Sequence, residues 1–293
     1  MPPIAILSAI LVAVCWGANF SAAHLAMQEF PPLLTVLLRF VGISVLLAPF
    51  ALTRPWPRLR DALVISFLLV SLQFGLLFTA LSMGLSITST IIATQLGVPF
   101  SCVFAAIVFK DYLGPWRAGG LAVAFVGVIV VAGTPNAASH GLAFALAMAA
   151  ALSWSCANLY MKRAPKIATV PFLFWTSLFA VPPLLALSLL IEHPTVELLA
   201  SAHAHTWAAI AYSLIFSSVI GYGLWNYLIS HYPVSQVVPY SLLVPVAGIA
   251  VGALMFADEP VGTRSLIGGA LTIVGVAVIS FRRPGLAVEA EKQ

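Results

Sequence analysis

Trp16, Asn19 and Phe20 stand at i, i+3 and i+4 in the stretch "CWGANFS" (15–21), and Trp154 and Asn158 stand one turn apart in "SWSCANLYM" (153–161). Aromatic faces beside single amides suit reversible binding rather than bond breaking. A π-face accepts an apolar group, or an ammonium at about 0.5–2 kcal/mol, while an amide offers directional hydrogen bonds. Both stretches are otherwise apolar, and an unpaired amide in such surroundings costs roughly 2–7 kcal/mol on transfer scales. A cavity shared by the two phrases would account for that cost. The competing reading has the tryptophans in an interfacial belt and the amides bridging helices. Both tryptophans lie in mid-run, where a belt residue is not expected.

Further residues fit the same chemistry. Tyr222, Trp225 and Asn226 repeat the i, i+3, i+4 stripe, and Phe74 and Phe78 share one helical face. Pro99 and Pro245 each interrupt an apolar run and release the carbonyl four residues back, at Gln95 and Ser241. Freed backbone at membrane depth persists only against protein or a wet cavity, which brings Gln95, Tyr240 and Ser241 beside the site. Arg39 lies within an apolar run. Its two readings are attraction of a carboxylate and a structural bond to helix-end carbonyls, and the second is favoured. His203 and His205 lack a third ligand for a metal, and no cofactor is expected. Asp111 and Glu259 read as helix-end caps, and the Gly119/Gly120/Gly127 and Gly268/Gly269/Gly275 sets read as packing surfaces.

These residues require helices in a lipid bilayer. Of 293 residues, 61% are hydrophobic and 8% charged, against roughly 25% charged in a soluble domain. Runs long enough to span fall at about 4–27, 32–52, 62–82, 87–109, 116–133, 140–162, 169–191, 206–229, 234–256 and 263–281. The first is expected to be a retained span, because it has neither a basic leader nor a cleavage site. With a cytoplasmic N-terminus, Arg54, Arg58, Arg60, Lys110, Arg117, Lys162, Arg163, Lys166, Arg282, Arg283 and Lys292 all face the cytoplasm. Only Arg264 faces outward, so both termini are expected inside. Topology accounts for the net charge of +4, and no nucleic-acid partner is expected.

The second half echoes the first. "GGLAVAFVGVIVVAG" (119–133) aligns with "IGGALTIVGVAVIS" (267–280), "FKDYLGPWR" with "FADEPVGTR", and "MGLSITST" (83–90) with "SHYPVSQV" (230–237). Each unit holds five spans, so the second enters the membrane inverted, as in secondary transporters with a midplane site. The expected fold is therefore an all-α membrane protein of ten transmembrane helices, two inverted five-helix repeats around a central cavity. Residues 1–135 form the first repeat, 136–283 the second, and 284–293 a cytoplasmic tail.

The five-plus-five pattern, the W-x-x-N-like phrase in spans one and six, and an acidic residue before a Gly-rich span resemble the EamA family of the drug/metabolite transporter superfamily. Within it, the chain is most similar to amino-acid exporters of the YddG type. One departure is Lys110-Asp111, where the family usually has a lone Glu. The resemblance implies an inner-membrane exporter of amino acids, including aromatic and other neutral ones, and similar small metabolites. The small-molecule substrate and the bilayer are its expected partners, with a monomer as the working expectation. Firm intramembrane carboxylates are absent from the spans, so facilitated or weakly coupled alternating access is expected. A phosphorylated-metabolite or nucleotide-sugar exchanger needs several cavity cations. An intramembrane enzyme needs a motif such as H-E-x-x-H or G-x-S-x-G, and neither occurs here.

Overall fold

Proline opens the first two helices, because its fixed φ suits the first helical position, where its missing N–H is not needed. Helix α1 runs Pro3–Met27 and α2 runs Pro32–Ala51. They are followed by α3 (Leu59–Ser82), α4 (Ile87–Thr94), α5 (Gly97–Phe109), α6 (Pro115–Ala132) and the short α7 (Pro135–Ser139). The second half contains α8 (Gly141–Arg163), α9 (Thr169–Ile191), the short α10 (Val196–Ser201), α11 (Ala204–His231), α12 (Leu243–Met255) and α13 (Thr263–Phe281). This computed structural model describes residues 1–109, 115–165, 168–232, 237, 240–241, 243–255 and 262–281. Lys110, Asp111, Lys166, Glu259 and the tail from 282 onward lie outside the described residues, as does the side chain of Arg117. Among the described residues there is no strand.

Among the described residues six helices are long and apolar enough to cross a membrane: α1, α2, α3, α8, α9 and α11. Their packing is inside-out relative to a soluble protein. On α1 the large Ile4, Leu7, Leu11 and Val14 are exposed, whereas Ala5, Ala9 and Ala13 are buried. Lipid solvates large apolar side chains as well as a protein core does, so small residues gather where helices touch. The closest such contact joins α6 to α13. A Cβ on Gly127 would strike Thr272, and one on Gly275 would strike the Ala124 nitrogen.

The helices form two groups. Helices α1, α11 and α12 pack together, and α8 packs with α3, α4 and α5; α2 lies along α9 and α6 along α13. One feature is not expected from sequence. Helices α3 and α11 each contain a wide π-helical segment, Ser66–Leu72 and Ser213–Tyr222, at matching positions. The break expected from Pro99 separates α4 from α5, and there the Gln95 carbonyl accepts the Val98 N–H at 3.2 Å in a tightened turn.

Two carboxylates fasten one end of the bundle. Glu192 accepts the Leu33 and Leu34 N–H groups at 2.6 and 2.8 Å and so caps α2, which begins with proline and lacks a side-chain cap of its own. Glu29 accepts the His203 N–H at 2.8 Å and lies 2.6 Å from His203 Nδ1, at the start of α11. The His203 N–H bond leads the causes that lower the Glu29 carboxyl from 4.5 to about 2.

Candidate functional site

A cavity of about 120 Å³ lies between the two helix groups, with room for on the order of ten water molecules. Nine of the fourteen site residues marked in the sequence line it. Helix α1 contributes Trp16, Asn19 and Phe20, and α3 contributes Phe74 and Phe78. Gln95 enters from the break between α4 and α5, Trp154 from α8, Tyr222 from α11 and Ser241 from just before α12. From mid-helix the cavity extends toward one end of the bundle, where Met27, Leu81 and Ile87 line it near the ends of α1, α3 and α4.

The two tryptophans are held by matching devices. The π segment of α11 presents the Ser217 carbonyl, which accepts Trp16 Nε1–H at 3.1 Å. Gly221 makes room for the indole, because a Cβ there would lie 2.7 Å from Trp16 Nε1. In the other group a Cβ on Gly97 would lie 2.7 Å from Trp154 Cε3. There Ser155 donates to the Gly97 carbonyl and Ser153 donates to the Leu68 carbonyl, within the π segment of α3, each at 2.7 Å. A π segment leaves backbone carbonyls off the regular ladder, and both helix groups use one as an anchor.

Asn158, Trp225, Asn226, Pro99 and Tyr240 are not among the lining residues. Asn158 stands behind Trp154 and donates to its carbonyl at 3.0 Å, while its Oδ1 accepts Trp225 Nε1–H at 3.1 Å. Trp225 is 1% exposed and packs against both Trp16 and Trp154, at 5.0 and 5.9 Å between ring centroids. Pro99 is buried past the break, Asn226 is buried in α11, and Tyr240 is half-buried. The amide predicted for the wall is therefore part of the bracing behind it in the second half.

Arg39, for which sequence favoured a structural role, lines the cavity. It is 3% exposed, donates to Ser218 Oγ at 2.5 Å and Ser217 Oγ at 3.0 Å, and holds its guanidinium 5.0 Å from the Phe74 ring centre. Gln73 and Ser217 also line the cavity and were not singled out by sequence. The signal available was small: Gln73 is a lone amide beside Phe74 in an apolar run, and Ser217 is one of three serines within 213–218. Among the described residues no group of His, Cys, Asp and Glu is arranged to hold a metal ion.

The arrangement can enclose a small molecule reversibly, and among the described lining residues there is no nucleophile–base pair. A model of the EamA-like transporter family matches residues 3–133 and again 141–281. The chain belongs to that family. It is similar to proteins named probable amino-acid metabolite efflux pump in Salmonella typhimurium and in Escherichia coli strain K12. The first is 31% identical over 282 residues and the second 30% over 281, each match covering 93% of both chains. A solved crystal structure matches with a TM-score of 0.66 and 18% identity over 95% of this EamA-like chain and 96% of the other, a likeness of fold. Family and apolar helices together make this a multi-pass membrane transporter.

Proposed function

We propose that this EamA-like protein exports amino acids, including aromatic and other neutral ones, and similar small metabolites across the inner membrane by alternating access. The observation that carries the reading is the aromatic-walled, amide-bearing cavity at mid-helix between two separately packed helix groups. The names of the Salmonella and Escherichia relatives favour the same class of cargo.

In this reading the chain has ten spans in two inverted repeats, 1–135 and 136–283. The contact pattern supports that arrangement, because partners exchange between halves: α1 packs on α12 as α8 packs on α4 and α5, and α1 packs on α11 as α8 packs on α3. The two family matches divide the chain in nearly the same place. With both termini cytoplasmic, the end lined by Met27, Leu81 and Ile87 is external, and the cavity faces outward. Among the described residues no carboxylate lines it, which favours facilitated or weakly coupled efflux. Among the described residues Arg39 is the one cation lining it, fewer than a phosphorylated cargo requires.

The test is counterflow in proteoliposomes with a panel of labelled amino acids, comparing wild type with Trp154→Ala and Asn19→Ala. Exchange of neutral amino acids, weakened in both variants, is expected. Failure of every amino acid to exchange overturns the reading. A many-fold acceleration by an imposed pH gradient would remove the weak-coupling part alone.

A further inference from the structure

We infer that Arg39 makes this cavity a carboxylate site, so that an anionic carboxyl group with an adjoining apolar side chain, not the ammonium group, is what a cargo must carry. The inference rests on the exporter reading for the site and goes further in naming the part of the molecule that is recognised.

Arg39 is a buried charge without a counter-ion among the described residues. It sits in the membrane-spanning helix α2, 3% exposed, and keeps its guanidinium charge because its intrinsic pKa is so high. A buried cation is costly unless an anion and hydrogen bonds accompany it. Among the described residues no Asp or Glu forms an ion pair with it. Its partners are neutral: the hydroxyls of Ser217 and Ser218, the faces of Phe74 and Phe40 at 5.0 and 5.4 Å, and the Tyr222 phenol within electrostatic reach. Those contacts fix Nε and one hydrogen of Nη2. Nη1 and the remaining Nη2 hydrogen have no acceptor among the described residues, on a side chain that lines the cavity. An oriented guanidinium with donors to spare matches a carboxylate in both charge and shape.

A second observation points the same way. Gln95, 7% exposed and also lining the cavity, has an amide Nε2 with no partner, a second donor for an anionic oxygen. For a cargo ammonium the cavity offers only neutral groups: the unpartnered amide oxygens of Asn19 and Gln73 and the aromatic faces. Hydrogen bonds from a charged donor to a neutral acceptor, without a counter-charge, contribute less than a guanidinium–carboxylate pair. Carboxylates lacking the amino group, such as 2-oxo, 2-hydroxy and N-acylated acids with aromatic or aliphatic side chains, therefore fit the site. Amines and carboxamides with the same side chain do not.

The experiment keeps the wild-type protein and varies the ligand. In proteoliposomes exchanging labelled phenylalanine, unlabelled phenylpyruvate, phenyllactate and N-acetylphenylalanine are expected to compete within about tenfold of phenylalanine. Phenylalaninamide and phenethylamine are expected to compete roughly ten- to a hundredfold more weakly, the range spanned by a lost charge-assisted hydrogen bond. The same compounds are tested on purified protein by thermal stabilisation, which does not depend on transport. Equal competition or stabilisation by the amide or the amine overturns the inference, while the exporter reading survives if phenylalanine still exchanges. Stabilisation by the acids alone, with no exchange of any amino acid, sustains the inference and sinks the exporter reading. Arg39→Lys is expected to retain the preference for acids in weakened form and Arg39→Met to lose it. A folded Arg39→Met protein that still prefers acids overturns the inference.

Discussion

Replacing Asn158 with leucine tests the bracing behind the cavity. Asn158 lies on α8 and Trp225 on α11, in opposite helix groups, and the indole N–H of Trp225 donates to Asn158 Oδ1 at 3.1 Å. Trp225 is 1% exposed, so in Asn158→Leu no water reaches the abandoned donor. A buried donor without a partner costs about 1–3 kcal/mol. Trp225→Phe removes the donor instead and orphans the amide oxygen. In the double variant neither group is left wanting, and the packing loss of Trp→Phe cancels around the cycle. Interhelical hydrogen bonds in membrane proteins couple by about 0.6 kcal/mol on average and up to about 1.7 kcal/mol. The double variant is therefore expected to be more stable than the sum of the single effects by about 0.6–1.7 kcal/mol. At roughly 2 °C per kcal/mol for a chain of this size, that is a departure of about 1–3 °C in thermal unfolding of the purified proteins. Additivity to within about 0.5 kcal/mol would refute the reasoning, because it would mean the bond holds nothing between the groups.

Gly221→Ala sets a methyl 2.7 Å from Trp16 Nε1 and 3.3 Å from the Phe216 carbonyl, so the indole must leave its place. Counterflow is expected to fall about tenfold or more, whereas Gly141→Ala, whose methyl meets nothing within 4 Å, transports as wild type. Glu192→Ala strips the α2 N-terminus of its acceptors and is expected to lose about 1–3 kcal/mol from capping and dipole contributions, read as a fall in thermal stability. Glu192→Gln should lie between the two, and an alanine variant as stable as wild type removes the cap from the account. Glu29 contributes a pH dependence of known sign. Its carboxyl titrates at about 2 when folded against 4.5 ordinarily, so its contribution is complete above 4.5 and disappears as pH falls toward 2. Wild type should therefore lose stability more steeply than Glu29→Gln below pH 4.5, and parallel curves would show that the His203 contact has no such effect.

Much of this was legible in the sequence because membranes impose simple rules. The six helices long and apolar enough to span fall on expected apolar runs, and α9 and α13 start and stop where their runs do. The Trp16 and Trp154 phrases marked facing walls because amides in oil need a reason. What was not legible depends on tertiary geometry. The π segments in α3 and α11 leave no periodic signal, yet they supply the Leu68 and Ser217 carbonyls that anchor the two walls. Arg39 looked structural because its Ser217 and Ser218 partners lie 178 and 179 residues away, and the same bonds that make it structural also aim it at the cavity.

If the two halves correspond as proposed, equivalent positions serve differently: one amide faces the cavity and its counterpart does not. The phrases align Asn19 with Asn158, and the shift of 147 residues that relates the π segments aligns Phe78 with Trp225. In the second half the amide finds an indole donor and closes a bond between helix groups. In the first half its counterpart is a phenyl ring, which has no donor, and Asn19 Oδ1 is left without a partner. Under that alignment the halves differ in one residue type, Phe against Trp, and the second half has the indole that donates to its asparagine. Phe78→Trp would offer Asn19 the missing indole. If the halves correspond as their sequences do, that variant should join Asn19 to the new indole with a bond like the one at Asn158 and slow counterflow several-fold. Unchanged transport would mean that the two asparagines are not equivalent positions.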